Sequence, residues 1–231
     1  MTKNCDIILA FDTAMGACSA TLYKLSTQEI LAKKQELMNR GQAERLVPMI
    51  DEIITESGIA YNDIDLIACT HGPGAFTGLR LSLATAKVLS LSLKTPAIGV
   101  STLKALYQSS SDAKSSNVMV CMETKRKDYY CQVFDVDGNE LTEPKSSKLE
   151  DVISYIEEFS PYIIGDANER LKIELQNQSI EYSAMSDLLH PDCIEIAKIA
   201  SKDYNPEAMR LQNIEPLYLR EADVSFPATK K

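Results

Sequence analysis

Apolar runs of strand length alternate with short polar turns through the first half of the chain. Such runs are typical of β-strands, whereas longer stretches with apolar positions three and four apart are typical of helices. Strands followed by alternating helix and strand predict a mixed sheet covered by helices. The pattern predicts strands over 6–12, 18–25, 29–37, 66–70 and 97–100, and helices over 41–57, 76–93 and 101–107.

The second half follows a serine-rich, aperiodic segment, QSSSDAKSSN, which we interpret as a linker. We therefore predict a first lobe over 1–107, a linker over 108–117, a second lobe over 118–224 and a loose tail over 225–231. Within the second lobe the pattern predicts strands over 118–123, 128–136, 140–148 and 162–165, and helices over 149–159, 167–175 and 192–203.

The two halves resemble each other at a constant offset of 111 residues. ILAFDT and VCMETK occupy matching places, and at this offset Asp12 falls on Glu123 and Tyr23 falls on Phe134 without a gap. Each side reads as an apolar strand, an acidic residue, a polar turn and a second alternating strand. An internal duplication of one structural unit explains this correspondence.

Two helices of the first half differ in character. The helix over 41–57 is amphipathic, with apolar residues on one side and charged residues on the other. The helix over 76–93 is apolar almost all round, its other positions being mainly serine and threonine. It is either a central core helix or a helix that packs on the sheet with one side and meets a partner chain with the other. The apolar positions of the first helix are Ala43, Leu46, Val47, Ile50, Ile53 and Ile54.

The bulk composition narrows the function classes. The net charge of −9 argues against a chain that holds nucleic acid by itself, because phosphate contacts require a cationic surface. The six cysteines are scattered without a C-x-x-C pair, which favours reduced core thiols in a cytoplasmic protein. No apolar run is long enough to span a membrane, and the short run after Asp6 is better explained as a strand than as a signal peptide.

The segment HGPGAFTGLR places three glycines between a strand and a helix. Its spacing matches neither the dinucleotide fingerprint nor the P-loop, although first-turn amides of the helix could hold an anion, and Thr77 could cap that helix. The alternative is a structural turn that sets the helix against the sheet. In the turn after the first strand, Asp12 could position a metal while backbone amides hold phosphates, as in some phosphotransferases, or it could have only a capping or turn role. Together the two segments give a candidate anion or nucleotide loop: Asp12, Thr13, Gly72, Gly74, Thr77, Gly78 and Arg80.

Catalytic and metal signatures are weak in this sequence. The two histidines, His71 and His190, lie far apart and form no H-x-x-x-H or H-E-x-x-H pattern. No G-x-S-x-G nucleophile motif occurs. These patterns indicate no catalytic triad, and we predict no metal ligand.

The stretches ILAFDTAMGACSATL, GPGAFTGLR, PAIGVSTLKAL and PLYLR resemble the TsaB (YeaZ) family of bacterial threonylcarbamoyladenosine biosynthesis subunits. The resemblance covers the first half and thins in the second to GDAN and PLYLR. It implies an α/β fold of the actin-like ATPase and sugar kinase group, with two duplicated lobes of five-stranded mixed sheets and flanking helices. Two departures are that Gln42-Ala43-Glu44 replaces a common HSE, and that Glu123 heads ETKR where the family usually has DARR.

The resemblance also implies a function and partners. Such a chain is a non-catalytic subunit that binds the catalytic subunit TsaD through the two first-half helices and self-associates as a homodimer through the same surface. With the ATPase TsaE, the assembly transfers threonylcarbamoyl to adenosine 37 of tRNAs that read codons beginning with A. No intrinsic cofactor is implied, although an adenine nucleotide could lie at the subunit interface, and tRNA is contacted only through the complex.

On this basis we predict interface residues rather than catalytic ones. The alternatives are an ATP-dependent phosphotransferase, which needs a working phosphate turn at 12–16, and a glycoprotease-like metallopeptidase, which needs metal ligands. The predicted interface residues are Leu46, Ile50, Ile53, Leu83, Val88 and Leu91.

Overall fold

A computed structural model describes residues 5–110, 115–124 and 126–220 and contains two mixed sheets with six α-helices. In the first half the elements are β1 (Ile7–Asp12), β2 (Ala17–Lys24), β3 (Glu29–Leu37), α1 (Gln42–Ser57), a 3-10 turn (Tyr61–Asp63), β4 (Leu66–Gly72), α2 (Phe76–Leu93), β5 (Ala97–Ser101) and α3 (Thr102–Ser109). In the second half they are β6 (Val118–Glu123), β7 (Tyr129–Phe134), β8 (Lys145–Ser147), α4 (Leu149–Phe159), β9 (Tyr162–Gly165), α5 (Asn168–Asn177), β10 (Ala184–Asp187), α6 (Cys193–Asp203) and β11 (Leu211–Gln212).

The two sheets share one topology. The first sheet has the order β11-β5-β4-β1-β2-β3, and the second has the order β10-β9-β6-β7-β8. In each sheet the first strand of the half pairs antiparallel with the second and parallel with the fourth. The predicted duplication is confirmed by this matching order, and the first sheet gains β11 as a sixth strand.

The strand pairings correct the offset between the halves. In the first sheet Asp12 lies opposite Ser19, whereas in the second sheet Glu123 lies opposite Tyr129. The second turn is therefore one residue shorter than the first. The offset of 111 holds for β1 and β6, but Tyr23 corresponds to Val133 rather than to Phe134, so the ungapped alignment was wrong beyond the turn.

Helices cover both faces of the first sheet. On one face α1 and α2 pack on β1, β2 and β4 around Phe11, Leu46 and Ile53. On the other face α6 packs on the same strands through Ile196 and Ala200. Residues 193–212, assigned to the second lobe on sequence, thus belong to the first sheet, because α6 buries its apolar side there and β11 pairs with β5.

The second sheet is covered by α4 and α5 on one face and by α3 on the other. Leu103, Leu106 and Tyr107 of α3 contact Val118 and Phe134 in a core cluster that joins the two halves. The predicted linker begins too early, because α3 continues to Ser109. Residues 111–114 of that linker and the tail over 225–231 lie outside the described residues.

Most differences between predicted and observed elements are in the second half. The strand predicted over 140–148 is reduced to β8. Before it the chain turns at Asp135, whose side chain accepts hydrogen bonds from the amides of Asp137 and Asn139. Strands β10 and β11 were not predicted. Within the described part of the chain, no helix is long and apolar enough to cross a membrane.

The docking of α6 on the first sheet can be tested with Ile196→Ala. Ile196 is fully buried, so its truncation should lower the free energy of unfolding by about 2–4 kcal/mol, measured by urea denaturation followed by circular dichroism. The matched control is Ile173→Ala on the exposed side of α5, with an expected change within about 0.5 kcal/mol. Equal effects of the two substitutions would contradict the packing of α6.

Candidate functional site

The outer side of α2 carries an apolar strip made of Ala84, Val88 and Leu91, which we call the outer strip. These residues are spaced four and three apart and lie on one side of the helix. Val88 is 62% exposed and Leu91 is 69% exposed. Large aliphatic side chains in a continuous exposed row are typical of a surface that meets another molecule.

The inner side of α2 is partly polar instead. Ser82 and Ser90 are fully buried, with their hydroxyls in hydrogen bonds. The Ser82 hydroxyl lies 2.7 Å from the Thr13 hydroxyl, and Ser90 donates to the Thr95 carbonyl at 2.6 Å. Leu79, Leu83 and Ala86 complete the buried side. This helix therefore buries two serines together with aliphatic residues on its inner side and also exposes aliphatic side chains on its outer side, where an ordinary surface helix carries polar residues.

Helix α1 contacts α2 and carries exposed apolar residues of its own. Val47 is 56% exposed, and Ala43 and Pro48 on the same side are exposed as well. The opposite side holds Leu46, Met49, Ile50, Ile53 and Ile54 in the core. We use the name helical face for the outer strip together with Ala43, Val47 and Pro48.

The burial of these helices corrects part of the predicted interface. Val88 and Leu91 lie at the surface, as an interface residue requires. Leu46, Ile50, Ile53 and Leu83 do not, because they pack in the core beneath the two helices. Apolar spacing alone does not distinguish the buried side of a helix from an exposed apolar side. In α1 most of the predicted apolar positions face the sheet, but Ala43 and Val47 are exposed.

Charged groups border the helical face. Arg45 of α1 bridges Glu36 and Glu52 with nitrogen–oxygen distances of 2.6 Å to each. Hydrogen bonds from Arg45 and Lys34 lower the pKa of Glu52 to about 2, so this carboxylate stays charged at neutral pH. These ion pairs are solvent-exposed and contribute little stability, but they give the apolar surface a polar rim.

A cation–aromatic cluster lies at the N-terminal end of α2. The Arg80 guanidinium lies 3.7 Å from the centre of the Phe76 ring, and Tyr218 stacks on the same ring at 5.7 Å. Lys87, further along the helix, pairs with Glu215. The sequence does not predict this arrangement, because Glu215 and Tyr218 reach α2 only when the C-terminal segment folds back across the first sheet.

The glycine-rich loop is filled by the protein's own backbone. A side chain at Gly78 would lie 1.9 Å from the Thr13 carbonyl oxygen, and one at Gly74 would lie 2.6 Å from that of Ala14. A side chain at Gly72 would meet the Leu217 carbonyl at 2.7 Å. The Thr13 hydroxyl donates to the Gly78 carbonyl at 2.8 Å. The glycines therefore let α2, the first turn and the C-terminal segment approach closely.

The remaining members of the predicted loop separate into buried and exposed groups. Thr13 is buried, whereas Thr77 and Arg80 are exposed on α2. Thr77 does not cap the helix, because the N-cap is Ala75 and no side chain caps it. Whether an anion binds near these residues stays a prediction.

Asp12 is fully buried at the end of β1. One carboxylate oxygen accepts hydrogen bonds from the Thr70 hydroxyl and from the Ala14 amide, and the other has no described partner. Burial raises the pKa of this carboxyl above its usual value, against the opposing effect of those hydrogen bonds. A fully buried carboxyl whose charged form is disfavoured is poorly suited to hold a metal–phosphate complex.

No metal centre emerges from the described ranges. In those residues no group of three or more His, Cys, Asp or Glu side chains is arranged to hold a metal ion. His71 is partly buried at the end of β4, where burial lowers its pKa. His190 lies near Gln35, whose side-chain nitrogen is 3.2 Å from its ring. The two histidines therefore have separate, local surroundings.

The fold defines a class of protein. The chain superposes on YeaZ from Pseudomonas aeruginosa with a TM-score of 0.73 at 23% identity, over 93% of this chain and 100% of that one. It also matches the ROK hexokinase from Thermus thermophilus with a TM-score of 0.50 at 11% identity, over 85% of this chain and 100% of that chain. The fold is that of the actin-like ATPase and sugar kinase group, as predicted.

Sequence comparison narrows the class to a family. The family described as "TsaD: tRNA N6-adenosine threonylcarbamoyltransferase" matches residues 28–177, more than half of the chain. The protein described as "tRNA threonylcarbamoyladenosine biosynthesis protein TsaB" is 28% identical in Escherichia coli, over 92% of this chain and 94% of that protein. The Haemophilus influenzae protein of the same description is 29% identical over 92% of this chain and 93% of its own length. The chain belongs to this family, in its TsaB (YeaZ) branch.

The packing role of the glycine loop can be tested with Gly78→Ala. The added methyl group collides with the Thr13 carbonyl, so we expect the free energy of unfolding to fall by about 1–3 kcal/mol in urea denaturation. Gly16→Ala is the matched control, because its nearest neighbour would be a side-chain atom 3.9 Å away. A Gly78→Ala variant as stable as the control would show that α2 does not approach the first turn so closely.

The buried state of Asp12 can be tested through pH. A raised pKa in the folded state means that ionisation destabilises the fold as the pH rises from the unfolded pKa toward the folded one. Asp12→Asn removes this cost, so the variant should unfold at a higher temperature than the parent at pH 7.5. The difference should shrink as the pH falls toward about 3, below the ordinary pKa of an aspartate carboxyl, where the parent carboxyl is mostly protonated in both states. A variant that is less stable than the parent at pH 7.5 would contradict a raised pKa of Asp12 in the fold.

Proposed function

We propose that this chain is a non-catalytic subunit of a tRNA threonylcarbamoyladenosine-modifying assembly, and that it acts by binding a TsaD-type catalytic subunit through the helical face. The relatives named TsaB support a place in this biosynthesis. The observation that carries the proposal is the exposed aliphatic strip on α2. Buried serines and an exposed strip of Ala84, Val88 and Leu91 suit a helix that is covered on both sides.

The chemistry of the partner follows from the surface. Aliphatic side chains on the helical face require an apolar partner surface, and the charged rim requires one with groups of both signs around it. A partner with the same fold can present its own pair of helices in the same orientation. The match of this chain to the TsaD family makes such a partner, or a second copy of this chain as a homodimer, the natural one.

The negative net charge of the chain supports a role in which other subunits hold the tRNA. A chain with a net charge of −9 repels the phosphate backbone at long range, so tRNA is held mainly by the other subunits. In this proposal a TsaE-type ATPase joins the assembly, an adenine nucleotide binds at the boundary between subunits, and the complex works in the cytoplasm. The threonylcarbamoyl transfer to adenosine 37 takes place on the TsaD-type subunit.

A phosphotransferase of the sugar kinase type is the weaker candidate. The end of β1, where that class positions a metal and phosphates, is here closed by the buried Asp12 and by the contact of Gly74 with Ala14. The glycoprotease-like metallopeptidase requires metal ligands, and the described residues bring none together. Neither alternative explains the exposed aliphatic strip on α2.

The proposal is tested by placing a charge in the outer strip. Val88→Asp should weaken binding to a TsaD-type protein about 100-fold or more, because an unpaired carboxylate buried in an interface costs several kcal/mol. Binding is measured by isothermal titration calorimetry, and circular dichroism checks that the variant remains folded. Ile173→Asp is the matched control, since Ile173 is also exposed but lies on α5 of the second half.

The control variant should bind as the parent does. Unchanged affinity of a folded Val88→Asp variant would remove the outer strip from the interface. Absence of binding by the parent chain at micromolar concentration would overturn the proposed function itself.

A further inference from the structure

Two buried thiols face each other in the second half of the chain. Cys121 on β6 and Cys131 on β7 are direct partners in the antiparallel pairing of these strands. Their sulfur atoms lie 3.4 Å apart. Both residues are fully buried in the core between the second sheet and the helices α4 and α5.

The backbone geometry at this pair suits a disulfide. Directly opposite residues of antiparallel strands have Cα atoms about 4.5–5.5 Å apart and side chains on the same side of the sheet. Disulfides occur at Cα separations of about 4.4–6.8 Å. The sulfur atoms must move from 3.4 Å to about 2.05 Å, which side-chain rotation can supply without a change in strand register.

We propose that Cys121 and Cys131 are a reversible oxidation site, which forms an intramolecular disulfide when the chain meets a peroxide or a small-molecule disulfide. With hydrogen peroxide, one thiolate attacks a peroxide oxygen to give a sulfenic acid, and the second thiolate displaces hydroxide from that sulfur. Two thiols lose two electrons and two protons, and one peroxide gives two molecules of water. A thiol reductant reverses the reaction.

The surroundings of the pair determine how it reacts. Burial raises the pKa of the Cys121 thiol, so little thiolate is present in the closed fold. Arg170 holds the end of β6 through the carboxylate of Glu123 and the start of β7 through the carbonyl of Asp128. Oxidation therefore follows opening of this end of the hairpin and is slow, while the pairing of the strands directs each thiol to the other.

This site is independent of the proposed partner binding. The pair lies in the second sheet, whereas the outer strip lies on α2 of the first half. Its formation and its loss can be measured on the purified chain alone, without a partner, an RNA or an activity.

The test uses the reduced full-length chain and diamide, a two-electron thiol oxidant, in native buffer. After alkylation of the remaining thiols and tryptic digestion without reductant, mass spectrometry should find the peptides 115–125 and 128–145 joined, with the loss of two hydrogen atoms. The joined species should be the main disulfide product and should disappear with dithiothreitol. Cys131→Ala should abolish it, and Cys18→Ala, a buried thiol of the first half, should leave it unchanged.

Oxidation in 6 M guanidinium provides the comparison with an unfolded chain. There the six cysteines should join in mixed pairs, because the strand pairing no longer selects partners. The proposal is overturned if other pairings dominate in native buffer. It is equally overturned if the two peptides are joined only in guanidinium.

Discussion

The close approach of α2 to the end of β1 is the contact on which the first half of the molecule depends. Gly78 lies against the Thr13 carbonyl, and the Thr13 hydroxyl bonds to both the Gly78 carbonyl and Ser82. This contact fixes which side of α2 faces the sheet, and it requires small and hydroxyl-bearing residues there. Val88 and Leu91 lie on the opposite side of the helix and are exposed. The contact with Thr13 thus also determines which aliphatic side chains of α2 reach the surface.

The C-terminal part of the chain completes this arrangement. Strand β11 adds to β5, and the amide of Leu217 bonds to the His71 carbonyl beside the glycine loop. Beyond it, Arg220 pairs with Asp128 in the second half, so one segment touches α2, the first sheet and the turn between β6 and β7. The two halves are joined by this segment and by α3, which shares a core cluster with β6 and β7.

Much of the fold could be predicted because local patterns agree with it. The alternating strands, the amphipathic α1 and the long apolar α2 were found within a few residues of their observed bounds. Strands β10 and β11 were not predicted, because the sequences AMSD and LQ show no alternation of apolar and polar residues. Their extended conformation depends on pairing with neighbouring strands. The sequence also does not show which apolar side of a helix is exposed. Both Leu46 and Leu91 are leucines in helices, yet the first is buried and the second is exposed. In α2 the contacts of Thr13, Ser82 and Ser90 help to determine which side is buried.

In the proposed assembly a partner covers the helical face. Hydrogen–deuterium exchange of this chain, alone and with a TsaD-type protein, can detect this cover, because exchange reports opening and protection along the whole chain. Added protection should be concentrated in the peptides that cover Gln42–Ser57 and Phe76–Leu93, with the second sheet little changed. Added protection confined to the second half, or a stable complex that leaves both helices unchanged, would contradict it.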